Sequence, residues 1–272
     1  MADPAILVAD SVTRLGPEHV GAVLIAGSHG GVYAACLAGR AGLRAVILND
    51  AGVGLDEAGI AGLAYLDTYG MAAATVGHVT ARIGDGADMA RRGTISHVNA
   101  TAARLGVAPG QTCGAAAERL RAAPLATARP PALEETRHLL LDAPGGMKVW
   151  ALDSASLVRS DDAGAIVLVG SHGGGSPANA LKADCRAAIF NDAGIGIDRA
   201  GIARLPVLDG RGIAAATVSA ASARIGEGCS IWESGIISAV NARAAAAGGR
   251  VGMTAQALVH DLARRLLRHG GA

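Results

Sequence analysis

Aromatic rings are nearly missing from this 272-residue chain, which has one Phe, three Tyr and two Trp. Without them there is no stacking platform for single-stranded nucleic acid. Charge is sparse as well: 17% of residues, 24 basic against 23 acidic, for a net charge of +1. Such a balance supplies no field to grip a polynucleotide or an anionic membrane surface. Long apolar runs are absent too. Stretches such as Ala22–Ala26 and Ala165–Val169 soon end at Gly, Ser or His, far short of the ~18 residues a bilayer-spanning helix needs. No basic region precedes an apolar stretch at the N-terminus, so no signal peptide is expected. The four cysteines (Cys36, Cys113, Cys185 and Cys229) form no CxxC pair, which argues against a zinc knot or a disulfide scaffold. The expectation is a soluble, cytoplasmic protein with a small-molecule substrate and neither nucleic acid nor membrane as partner.

What the chain does have is Ala, Val, Ile and Leu in quantity, within a hydrophobic share of 51%, and 39 glycines. This excludes global disorder. It also repeats itself. VLIAGSHGG (residues 23–31) returns as VLVGSHGG (167–174), and the stretch from Asn49 to Thr112 recurs at a constant offset of 142, with 35 of 64 positions identical. A unit of about 120 residues is too long for a solenoid repeat and suits a duplicated domain.

Within the first copy, apolar runs near Ala5–Ala9, Ala22–Ala26, Arg44–Leu48 and Ala72–Val76 predict strands. Helical stretches are predicted near Val32–Arg40, Asp56–Leu66, Ala87–Arg92, Ile95–Leu105 and Thr112–Ala122. Continuous apolar strands separated by helices predict a parallel sheet covered on both faces. The expected fold is therefore α/β, a three-layer sandwich with a parallel sheet, internally duplicated as two pseudo-twofold-related lobes. The lobes span 1–123 and 145–272. Residues 124–144 form a Pro-containing linker with one short helix near Leu133–Leu141. The low charge leaves apolar surface over, so a homo-oligomer is expected.

In parallel sheets, ligands bind beyond the carboxyl ends of the strands. Two repeated motifs fall there. GSHGG leaves one strand and opens a helix, placing Ser28, His29, Gly30 and Gly31, and again Ser171, His172, Gly173 and Gly174, where backbone amides meet an anion. NDAG ends the next strand with Asn49-Asp50 and Asn191-Asp192. If these strands are neighbours, His29 meets Asp50 and His172 meets Asp192, and a His oriented by a carboxylate is what a general base requires. Arg82 and Arg224, in the ARIG element after the fourth strand, are placed to clamp a carboxylate, or else to pair with Asp50 or Asp85.

No Walker A motif is present, and GVGLDEAG and GIGIDRAG lack GxGxxG spacing, so no nucleotide cofactor is expected. The histidines match no compact metal motif, so no metal is expected either. These residues imply a cofactor-independent hydrolase of a small polar or anionic, amide- or imide-like metabolite, using His-Asp acid-base chemistry and an amide-lined oxyanion turn. The alternatives are a lyase or isomerase of a small carboxylate, and a non-catalytic small-anion binder or sensor.

The copies also differ. His78, His97, Asp88 and Arg91 become Ala220, Ala239, Ser230 and Glu233, and Ser176-Pro177 appear after the second GSHGG. Because the losses remove imidazoles at the expected ligand edge, the two lobes are expected to be unequal in function.

Overall fold

The computed structural model describes residues 3–142, 147–175 and 181–269, so Ser176, Pro177 and the linker residue Pro144 lie outside it. The chain divides into two compact units. The first comprises residues 1–53, 57–134 and 195–200, and the second comprises 54–56, 135–194 and 201–272. Among the described residues, no helix is long and apolar enough to cross a membrane.

The first unit is built on a five-stranded sheet in the order β1 (Ile6–Ala9), β2 (Val23–His29), β3 (Ala45–Asn49), β4 (Ala72–Val76) and β5 (Ile95–Val98). Strands β1 to β4 run parallel, and α1 (Val32–Arg40) and α2 (Ala61–Asp67) connect β2 to β3 and β3 to β4. The strands are apolar without alternation because both of their sides are buried. Val23, Ile25, Ala45, Ile47, Ala72 and Ala74 face one cluster, which includes Met89 of α3 (Gly86–Arg92), Ala102 of α4 (Ala100–Arg104) and Ala116 and Leu120 of α5 (Cys113–Leu120). Their neighbours Leu24, Ala26, Val46, Leu48 and Ala73 face a second cluster with Ala35 and Ala38 of α1 and Leu63 and Leu66 of α2. Each fully buried Leu or Ile contributes roughly 1.5–3 kcal/mol.

The second unit has six strands in the order β11-β10-β9-β8-β7-β6: β6 (Arg137–Asp142), β7 (Lys148–Leu152), β8 (Ile166–His172), β9 (Ala187–Asn191), β10 (Ala214–Val218) and β11 (Ile237–Val240). Its helices are α6 (Arg204–Gly210), α7 (Gly228–Ser234), α8 (Ala242–Ala246) and α9 (Ala255–His269).

Three expectations are corrected. Both sheets are mixed rather than parallel, because Ile95–Val98 and Ile237–Val240 are antiparallel edge strands and not the starts of helices. The β-branched residues of Ile-Ser-His-Val favour the extended state, and Ser96 Oγ pairs across the sheet with Thr75 Oγ1 at 3.1 Å. Helix α4 begins only after Asn99, which caps it. Buried Asn99 is saturated: Oδ1 accepts from Ala73 N (3.1 Å) and Ala102 N (2.9 Å), while Nδ2 donates to the Leu63 and Met71 carbonyls.

Second, the expected linker helix near Leu133–Leu141 is strand β6, antiparallel to β7. Arg137 anchors it by donating to the buried Asp162 through Nη1 (2.8 Å) and Nη2 (2.5 Å), with its guanidinium 4.1 Å from the Trp150 ring centre. Tertiary anchoring overrides the helix-forming Glu, Arg and Leu content. Third, the helix expected over Asp56–Leu66 starts only at Ala61, because Asp56 and Glu57 have positive φ and Ile60 is non-helical at φ −128°.

Candidate functional site

Strand β2 ends on His29 and β3 on Asn49, and the two are register partners on adjacent parallel strands. Beyond β4, Gly77 donates its N–H to the Thr94 carbonyl (2.9 Å) and the chain turns to present His78. The Ile197 N–H donates to the His78 carbonyl at 2.9 Å, fixing its backbone. The carboxyl ends of β2, β3 and β4 thus lie side by side.

Asp50, 4% exposed, directly follows β3. Its Oδ1 accepts from Gly52 N (3.1 Å), His78 N (2.9 Å) and His78 Nδ1 (2.8 Å). Burial alone would raise this carboxyl. The hydrogen bonds from the ring and backbone of His78 outweigh it and hold the group below the ordinary carboxylate range. Asp50 therefore pairs with His78, and not with His29 as strand adjacency suggests. An ionised Asp50 can only accept, so His78 Nδ1 is the donor in this bond, and in the neutral ring Nε2 carries the lone pair. The His78 side chain is 24% exposed, which leaves the ring reachable.

His29 has the opposite tautomer. Its Nδ1 accepts from Gly31 N at 3.1 Å, so the ring hydrogen is on Nε2. Burial pushes this imidazole down from 6.5 to about 4, so it is neutral at pH 7. One imidazole offers a lone pair, and the other offers an N–H.

The remaining expected ligand groups make hydrogen bonds within the protein. The Gly30 N–H donates to the Asn49 carbonyl (2.8 Å) and the Gly31 N–H goes to His29, so both glycine amides expected to cradle an anion are engaged. A Cβ at Gly30 would lie 2.6 Å from the Gly59 carbonyl oxygen, so close backbone approach requires glycine there. Asn49 closes an Asx turn by accepting from Ala51 N (2.9 Å), and its Nδ2 donates to Ala81 O (3.4 Å). Ser28 Oγ accepts from Val12 N at 3.1 Å. Arg82 donates to Asp198 through Nε (3.1 Å) and Nη2 (2.9 Å), with Asp85 and Asp88 near 4 Å from Nη1. Its guanidinium thus already has carboxylate partners.

In the second unit, similar hydrogen bonds surround Asp192, but its carboxylate has no imidazole at the position of His78. Gly173 N donates to Asn191 O (2.8 Å) and Gly174 N to His172 Nδ1 (3.2 Å). Asn191 accepts from Ala193 N (2.9 Å), and Ser171 accepts from Ala155 N (2.9 Å). Asp192 Oδ1 accepts from Gly194 N (2.9 Å) and Ala220 N (2.8 Å), so a backbone bond like that from His78 N to Asp50 is present, with a methyl where His78 has its imidazole. Arg224 donates to Asp56 through Nε (2.8 Å) and Nη2 (2.7 Å).

One feature of both sites has no sequence signature. Ala51, Gly52, Val53 and Gly54 all have positive φ (49°, 77°, 61° and 76°), as do Ala193, Gly194, Ile195 and Gly196 (49°, 73°, 62° and 69°). A β-branched residue in this region is strained, and such strain concentrates at functional sites. Here the loop curls under the aspartate and lets Gly52 N, or Gly194 N, reach its carboxylate. Of the residues that form the base, sequence comparison marked His78 only as a difference between copies. His78 directly follows Thr75-Val76-Gly77 at the end of β4, and nothing in that run signals that its ring would reach Asp50.

Compared with protein-family models, curated proteins and solved structures, the chain matches none.

Proposed function

We propose that the first unit is the catalytic half of a cofactor-independent acid-base enzyme for a small polar or anionic metabolite. His78 is the proton-transferring residue and Asp50 its positioning partner. The observation that carries this reading is the 2.8 Å bond from His78 Nδ1 to the buried Asp50, which leaves Nε2 as the base. His29 is the complementary group. A neutral imidazole with its proton on Nε2 donates to a carbonyl oxygen without giving up charge, as stabilisation of an oxyanion needs. Strands β2 and β4 are about 10 Å apart across β3, a span that suits a substrate of a few heavy atoms.

Hydrolysis of an amide or imide is the first reading, with His78 activating water. Ser28 is tied to Val12, so no serine nucleophile is invoked. The neutral His29 donor favours a second reading, a lyase or isomerase in which His78 removes a carbon-bound proton and His29 holds the enolate. This chemistry belongs with a cytoplasmic, homo-oligomeric protein. The 142-residue offset further supports an internal duplication, with each copy a three-layer sandwich and only the first retaining the base.

The test is a panel of small cyclic amides, imides, hydroxy acids and keto acids, assayed with wild type, His78→Ala, Asp50→Asn and His29→Gln. Turnover should fall by about 10²–10⁴-fold in His78→Ala. Turnover that survives this change refutes the assignment, and ligand-dependent thermal stabilisation without any product would identify a binder instead.

A further inference from the structure

Aligned at the 142-residue offset, Gly62 of α2 corresponds to Arg204, the first residue of α6. At Gly62 there is no room for a side chain: a Cβ would lie 2.6 Å from Ala35 Cβ and 2.6 Å from the Gly30 carbonyl oxygen. The second unit places the largest cation at this position and buries it, leaving Arg204 8% exposed.

Its partners are few. The Arg204 N–H donates to the Gly173 carbonyl at 2.8 Å and Nη2 donates to the Gly174 carbonyl at 2.9 Å, so the side chain is held on the turn that follows His172. The Phe190 ring centre lies 5.1 Å from the guanidinium carbon. Nη1 is buried and, among the described residues, donates to nothing. Burial lowers the group to about 10, with no carboxylate acting against it, so it stays charged at neutral pH. Buried charges in proteins are paired, and a guanidinium taken out of water without a counter-charge is strongly unfavourable. In the same unit, Arg137 shows the usual solution by pairing with the buried Asp162. Among the described residues, no carboxylate pairs with Arg204.

We propose that Arg204 is the anchor of a second binding site, in the second unit, that takes the carboxylate of a small ligand beside the turn after His172. The missing counter-charge is supplied by the ligand. With Gly174 on one Nη2 hydrogen, Nη1 and the other Nη2 hydrogen lie in one plane, which suits the two oxygens of a carboxylate. The site does not depend on the His78 dyad, which lies in the first unit.

The experiment follows thermal unfolding and the ¹⁵N-arginine side-chain spectrum of the full chain, titrated with acetate, succinate or inorganic phosphate, and with sodium chloride as ionic-strength control. The variants are Arg204→Met, Arg204→Lys and His78→Ala. Wild type and His78→Ala should be stabilised by a carboxylate and show the Arg204 resonance shifting. Arg204→Lys, which keeps the charge but loses the planar fork, should bind at least tenfold more weakly. Arg204→Met should unfold at or above the wild-type temperature without carboxylate, and below it in saturating carboxylate. The proposal is overturned if wild type and Arg204→Met respond equally, if only phosphate acts, or if the wild-type Arg204 resonance stays fixed through the carboxylate titration. That last readout needs no variant to fold.

Discussion

Removing the titratable ring of His29 should change how stability depends on pH, and the sign follows from burial. In the unfolded chain the imidazole protonates near 6.5, whereas in the fold it resists protonation until about 4. Between these values the unfolded state holds the extra proton. Stability is therefore full above about pH 6.5 and is lost as pH falls towards 4. Between pH 7.5 and pH 4.5 the loss is at most about 2.5 kcal/mol, an upper bound because the partly buried ring keeps some contact with water. His29→Gln keeps an acceptor for the Gly31 N–H but cannot titrate. Urea unfolding of the two proteins across this range, read as their difference, cancels every other titrating group. The difference should shift by up to about 2.5 kcal/mol in favour of the variant as pH falls. Parallel curves would refute both the buried neutral imidazole and the donor role built on it.

Other perturbations test the scaffold. Asn99→Ala removes an acceptor of two backbone N–H groups and a donor to two carbonyls, so it should cost about 3 kcal/mol in denaturant titration. Asn241→Ala should cost about the same, because Asn241 accepts from Ala215 N and Ala244 N and donates to the Leu205 and Ile213 carbonyls. Asp162→Ala strands Arg137 and should cost about 3–5 kcal/mol, with hydrogen exchange rising along β6. Burial would raise Asp162, but Arg137 holds it below its ordinary value, so this contribution is present above about pH 4 and fades as pH falls through the folded value. Val53→Gly relieves a β-branched residue at φ 61° and should raise stability by up to about 1 kcal/mol; a loss of stability would show that the loop is not strained.

Much of the fold was legible because burial on both sides writes itself as unbroken apolar runs. Ala72–Val76 and Val32–Arg40 were read with the bounds the structure shows. Ile95–Val98 was not, because a four-residue strand next to a capped helix has the same apolar spacing as one longer helix. Strand β6 escaped because its anchor, Asp162, is 25 residues away from Arg137. The candidate site was legible only as a sheet edge. The sequence places His29, Asp50 and His78 at neighbouring strand ends, but which imidazole meets the carboxylate depends on the turn at Gly77 and on the left-handed loop at Ala51–Gly54. Val53 and Ile195 hid that loop, since neither is a residue expected at positive φ. Nothing in the sequence around Arg204 signals its burial, since an arginine in the first turn of a helix is ordinarily exposed. Only the position-by-position comparison with Gly62 separates it from the surface arginines.

The central claim, that Asp50 holds His78 as a base, is tested most directly by ¹⁵N NMR of the histidine rings near pH 7.5. The account predicts a His78 ring with its hydrogen on Nδ1, a tautomer that water disfavours, together with a downfield Nδ1 proton that disappears in Asp50→Asn. A His78 ring protonated on Nε2, unchanged by Asp50→Asn, would contradict it.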